Sequence, residues 1–147
     1  VKRKPTKYAA AIYVENEWGE FTAVKRLEND ESLPGVWGLP AGSLRSGEDF
    51  EAVAKRVARE KLGLEAKRVE FEGEMEIERE NYNLKLREYR IVDFDGTAVL
   101  QEGDKYYAEL AWQKDPKILC EGARKGGLCS RIFLKNRGIG WGAEEEK

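Results

Sequence analysis

LPGVWGLPAGSLRSGEDFEAVAKRVAREKLGL, residues 33 to 64, changes character part way along. Its first half belongs to a segment from Leu27 to Glu48 full of Gly, Pro, Ser and acids. That composition predicts loop, with a short strand around Val36 to Leu39. A glycine-rich loop inside a compact domain is more often functional than idle. The second half is the clearest helix of the chain. Ser46 followed by Asp49 resembles a capping box with the shorter acid, and Gly63 is a good C-terminal stop. With about 100° of rotation per residue, Val53, Ala54, Val57 and Ala58 share one apolar face, with Leu62 at its edge. Lys61 projects near the centre of that face and Glu60 lies at its border. A lysine among those neighbours is the feature that a functional reading has to explain.

On either side of this segment the patterns are those of strands. KYAAAIYVEN, residues 7 to 16, is rich in strand formers and leads through a turn near Gly19 into WGEFTAVKRL. Val69, Phe71, Met75 and Ile77 alternate with glutamates up to Glu78, which predicts a half-buried strand with an acidic outer face and a bulge or bend at Gly73. Tyr82 to Phe94 and Tyr106 to Trp112 are further strand candidates. Helical pattern follows around Ile118 to Arg124, breaks at Gly126 and Gly127, and resumes from Leu128 to Asn136. The order implies one α+β domain over residues 1–147, a mixed β-sheet with helices packed on its faces, and a tail loosely ordered from about residue 138.

The bulk numbers narrow the function classes. The 147 residues are 41% hydrophobic and 37% charged, the proportions of a soluble domain with a heavily charged surface. With 26 basic and 28 acidic residues the net charge is -2, which disfavours a nucleic-acid polymer as partner. No histidine is present, which disfavours a zinc site, His-based triads and histidine acid–base catalysis. Any metal would be a hard cation on carboxylates and backbone oxygens. No leader-like or membrane-spanning stretch stands out, and the expected location is cytoplasmic.

Residues 33–64 resemble the Nudix hydrolase signature. That box reads glycine, five residues, glutamate, seven residues, Arg-Glu, an aliphatic, any residue, Glu-Glu, any residue, glycine and an aliphatic. Counted from Gly42, it matches Glu48, Arg56, Ala58, Glu60, Gly63 and Leu64. PGVWGLPAG before it resembles the family's approach to the box, with Ala41 where glycine is common. The resemblance implies a Nudix-like domain that hydrolyses a pyrophosphate bond in a nucleoside diphosphate linked to another moiety, with Mg²⁺, or Mn²⁺ in its place. Such chemistry needs phosphoryl charge offset and a water deprotonated beside it. The implied roles are metal contacts from the Ala41 carbonyl, Glu48 and Glu60, with Glu88 as a replacement ligand. Lys25, Arg26 and the backbone at Gly42 would hold phosphate. Arg56, Glu60 and Lys61 are the catalytic candidates, Arg56 by orienting carboxylates. A small nucleotide-like phosphate ligand is the implied partner, with homodimers common in similar families.

Two positions break the box: Val57 and Lys61 stand where it has glutamates. One carboxylate in place of three weakens a cation site. Lys61 can lay its stem over apolar surface and carry its ammonium to Glu60 or Glu48, in place of a metal's charge, or to a ligand phosphate. It can equally be a helix lysine in solvent. The alternative function is therefore a catalytically impaired Nudix-like domain that binds a nucleotide or a protein partner without efficient turnover.

Overall fold

A computed structural model describes residues 4–142. Over these residues the strands are β1 (Thr6–Tyr13), β2 (Phe21–Arg26), β3 (Trp37–Gly38), β4 (Ala41–Ser43), β5 (Glu65–Glu78), β6 (Asn83–Asp95) and β7 (Tyr107–Gln113). The helices are α1 (Phe50–Leu62), α2 (Cys120–Arg124) and α3 (Leu128–Asn136), with a 3₁₀ turn at Pro116–Leu119 before α2. This is an α+β fold with a mixed sheet between helices.

The mixed sheet has the order β4-β1-β6-β5, with β1 parallel to β6 and the other pairs antiparallel. The smaller antiparallel sheet runs β3-β2-β7. The apolar run of β1 is explained by its place inside the larger sheet, where both faces are covered. Ala9, Ala11 and Tyr13 enter a core with Phe133, Ile132 and Leu128 of α3. Ala10, Ile12 and Val14 enter a second core with Val53, Val57 and Leu62 of α1. The two helices thus occupy opposite faces of the sheet.

The predicted bulge at Gly73 is present and has a consequence that alternation alone hides. The register of β5 on β6 passes from Phe71↔Tyr89 to Gly73↔Glu88, with one residue inserted. Tyr89 belongs to the α1 core, whereas Met75 and Ile77 pack with the α3 core. The odd-numbered apolar residues of β5 therefore change faces at the insertion. Ile132 of α3 fits against the bulge, since a Cβ on Gly73 would lie 2.9 Å from its Cγ2.

The helix start differs from the capping-box expectation. Asp49 itself is the N-cap, accepting from the Ala52 N–H at 2.8 Å, and Ser46 lies in the preceding turn. Asp49 is the residue whose carboxylate can reach the exposed N–H groups of the first turn. The stop is as expected: Gly63 takes the left-handed conformation (φ 69°), its N–H bonds Arg59 O, and the Leu64 N–H bonds Ala58 O. In the segment expected to be loose, Ile139 and Trp141 pack against the α3 core, and residues 143–147 lie outside the described residues. Among the described residues no helix is long and apolar enough to cross a membrane.

Candidate functional site

The loop before α1 is folded back on the helix by Arg56, which is 8% exposed. Its guanidinium donates to Glu48 through Nε (2.8 Å) and Nη2 (3.1 Å), to Glu60 through Nη1 (3.2 Å) and to the Ser43 carbonyl (2.6 Å). The fork of Arg56 faces Glu48 bidentately, which is the strong geometry for such a pair. Arg56 and the Arg45 N–H hold the Glu48 carboxyl below its ordinary range. Arg45 donates to the other oxygen of Glu60 at 3.3 Å. The structure thus brings Glu48, Arg56 and Glu60 together, each carboxylate matched by a guanidinium.

Gly42 has a packing role in this arrangement. A Cβ there would stand 2.9 Å from Val57 Cγ2, so the strand and helix approach closely only with glycine. Val57 is 1% exposed and belongs to the α1 core. The missing carboxylate is thus replaced by a methyl-bearing wall.

Lys61 neither extends into solvent nor reaches Glu60 or Glu48. Its ammonium lies 3.1 Å from Asp104 Oδ2, in the loop before β7, with side-chain exposures of 16% for the lysine and 3% for the aspartate. The rings of Tyr106 and Tyr107 stand 4.5 and 5.4 Å from Nζ, within cation–π range. Burial opposes ionisation of Asp104, but N–H bonds from Tyr106 and Tyr107, together with Lys61, hold its carboxyl below the ordinary range. Tyr107 continues the connection: its hydroxyl accepts from the Ala41 N–H at 3.2 Å, and burial pushes its pKa up to about 12. Asp104 and Tyr107 were not singled out in the sequence, because their partners lie far along the chain. Asp104 alone looks like an ordinary turn acid.

Glu88 does not join Glu48 and Glu60. It sits in register with Ala11, on the face of β6 that carries Leu86 and packs under α3, away from α1. It is buried, and neither of its carboxyl oxygens has a hydrogen-bond partner among the described residues. Burial pushes its pKa well above the carboxylate range; Arg137 opposes that shift and Glu72 adds to it. Bringing it to the box would require crossing the sheet.

These donors do not fit a divalent cation. Such an ion needs several oxygens carrying excess negative charge. Here Glu48 and Glu60 are offset by Arg56 and Arg45, Asp104 is offset by Lys61, and position 57 offers no side-chain oxygen. Among the described residues no group of three or more Asp, Glu, Cys or His side chains is placed to hold a metal.

A cleft of about 200 Å³ opens between the two sheets and the α2–α3 layer. Arg26, Arg79, Trp37 and Tyr82 line it, with Leu86 and Cys129 deeper, and the Ala41 and Tyr107 side links it to the box. Arg26 is anchored by Asp30 at 3.2 Å and Arg79 by the Gly126 carbonyl at 3.0 Å. Lys25 pairs with Glu28 at 3.7 Å and is not part of the lining. Of the expected phosphate contacts, Arg26 is the one the structure sets in a concavity. Arg79 was missed because it reaches the cleft from the distant β5–β6 turn.

Comparison with known proteins agrees with this architecture. The MutT protein of Methanosarcina mazei Go1 is 19% identical, with 94% of this chain and 97% of that one covered at a TM-score of 0.73. The E. coli ORF135 protein is 21% identical, with 91% and 92% covered at a TM-score of 0.68. The NUDIX domain of Shewanella oneidensis NrtR, in a structure with ADP ribose, is 16% identical, with 77% and 74% covered at a TM-score of 0.58. At these identities the likeness is one of fold. No curated protein gives a significant match. The family model described as NUDIX domain matches residues 5–115, which include all of the box and both sheets, and the chain therefore belongs to the Nudix superfamily, whose members generally cleave diphosphate linkages.

Proposed function

We propose that this Nudix-family chain binds a small nucleotide-like phosphate ligand in the cleft without efficient metal-dependent turnover at the box. The observation that carries this reading is the Lys61 ammonium 3.1 Å from Asp104, in the box position of a glutamate. Lys61, already neutralised by Asp104, offers a divalent ion no oxygen in that position, and Val57 removes a second donor. Arg56 and Lys61 act as structural residues in this reading, and no hydrolytic step is assigned to Glu60.

The cleft chemistry supports an anionic, aromatic ligand. Each guanidinium has five N–H donors, so Arg26 and Arg79 keep donors for phosphate oxygens beyond their bonds to Asp30 and Gly126. Trp37 and Tyr82 supply apolar faces for a base. The ADP ribose named with the NrtR domain supports a nucleoside diphosphate derivative as the ligand class.

The test is calorimetric titration of ADP, GDP, UDP, CDP and ADP-ribose, in EDTA and in Mg²⁺ or Mn²⁺, with product analysis of the same mixtures. Binding in EDTA, weakened by Arg26→Ala or Arg79→Ala, is the expected result. Metal-dependent cleavage at about 1 s⁻¹ or faster, the range of ordinary enzymes, would overturn the reading, as would failure of every ligand to bind.

A further inference from the structure

Glu88 is, among the described residues, the buried residue whose side-chain oxygens have no hydrogen-bond partner. Its lateral neighbours on the sheet are small: Ala11 on β1, Ala41 beyond it on β4, and Gly73 on β5. Leu84 and Leu86, the preceding residues on the same face of β6, both line the cleft. Cys129 of α3 lines it as well, and so does Ala41, which lies in the same row across the sheet as Ala11 and Glu88. Glu88 therefore stands one pleat beyond the inner end of the cleft, with both oxygens unpartnered among the described residues.

An unpartnered carboxyl in an apolar wall is costly, and here it adjoins a concavity rather than a solid core. We propose that Glu88 is a specificity-determining residue whose carboxyl reads the hydrogen-bonding edge of the ligand's base at the inner end of the cleft. This inference rests on the cleft being a nucleotide site. A protonated carboxyl presents an O–H donor beside a carbonyl acceptor, and that pair matches the adjacent donor and acceptor of an amide or amidine edge on a heterocyclic base. The buried state of Glu88 favours that form, since burial raises its pKa and Arg137 only partly opposes the shift. The base edge enters between Leu86 and Cys129, while the phosphates remain at the Arg26 and Arg79 end. Sites of this type discriminate strongly, because a ligand without the matching edge leaves the polar group unpaired.

The experiment compares the wild-type chain with Glu88→Gln and Glu88→Leu, using ADP, GDP, UDP, CDP and inorganic pyrophosphate as probes. Gln keeps a donor beside an acceptor, and Leu removes both. For the tightest nucleoside diphosphate, Glu88→Leu should lower affinity at least about tenfold, the size of one lost hydrogen bond, with pyrophosphate within twofold of wild type. Glu88→Gln should retain most of the affinity. Equal losses for the nucleoside diphosphate and for pyrophosphate would overturn the inference, as would unchanged binding by Glu88→Leu. If that variant does not fold, Glu88→Met, closer in length to glutamate, is read by the same criteria. A wild-type chain that binds none of the probes overturns the nucleotide-site reading itself. One that binds them all equally well overturns only the role of Glu88.

Discussion

Removing the Lys61 ammonium should destabilise the fold by an amount that can be worked from its surroundings. Asp104 is 3% exposed and would keep its charge without its cation. Breaking a buried ion pair from one side costs about 3–5 kcal/mol. The Tyr106 and Tyr107 N–H bonds to Asp104 survive and reduce that cost, while loss of the two ring contacts adds to it. Lys61→Ala should therefore lose about 3 kcal/mol. For a domain of this size the melting temperature falls by about 3 °C per kcal/mol, a drop of about 9 °C. Lys61→Met keeps much of the stem and separates packing from charge. Urea denaturation of Lys61→Met, Asp104→Asn and the double variant gives the coupling energy, expected at about 2 kcal/mol. A coupling below about 0.5 kcal/mol, the level of an exposed pair, would refute the claim that Lys61 is an internal cation holding the β6–β7 loop to α1.

Four further outcomes follow from the structure. Val57→Glu would place a carboxylate in a site 1% exposed, and in EDTA it should lose about 3 kcal/mol or more by denaturant titration. Glu88 binds a proton more tightly folded than unfolded, so its stabilising contribution is greatest below the ordinary carboxylate pKa and is lost as pH rises toward its raised folded pKa. Glu88→Gln should flatten that fall in urea midpoints measured upward from pH 4.5, although Glu72, Cys129 and Arg137 still face the position. Asp104 has the opposite sign: its carboxyl is held low, so its contribution is present above the ordinary aspartate range and is lost on acidification, and Asp104→Asn should remove that part of the acid sensitivity. Gly63→Ala should cost about 1–2 kcal/mol by thermal unfolding, since φ is 69° and a Cβ would meet Gln101 Nε2 at 2.6 Å.

The parts of the fold that were legible are those fixed by neighbours along the chain. The apolar face of α1, its stop at Gly63 and the strand character of β1 follow from spacing and residue type within a dozen positions. The bulge in β5 was also legible from Gly73, but its effect was not, because which face an apolar residue enters depends on what each sheet face meets. The numbering of Val69, Phe71, Met75 and Ile77 stays even-spaced while the insertion moves the last two under α3. Similarly, simple alternation along β6 would set Phe94 on the face of Leu86, yet Phe94 packs with the α1 core, after register irregularities opposite Ala66 to Val69. Strand β4 was hidden inside a loop-like composition, since its three residues gain strand form only by pairing with β1.

At the site the same distinction decides between chemical meanings. The contacts of Arg56 with Glu48 and Glu60 are local enough to be expected, whereas Lys61 finds its acid 43 residues away. From the helix alone, a cation at position 61 could have compensated Glu60, met a phosphate or stayed in water. The Asp104 contact selects a fourth possibility. Arg45, Arg56 and Lys61 offset Glu48, Glu60 and Asp104, so the charges at the box cancel without an ion. A divalent cation would then have to displace these existing ion pairs rather than relieve carboxylate repulsion. That reverses the usual electrostatic incentive, since a cation is attracted where negative charge is uncompensated. Among the described residues the buried side-chain oxygens without a hydrogen-bond partner are those of Glu88, on the other face of the sheet and beside the cleft. Ligand recognition at the cleft can therefore change by substitution at Glu88 without disturbing the charge balance that holds the loop to α1.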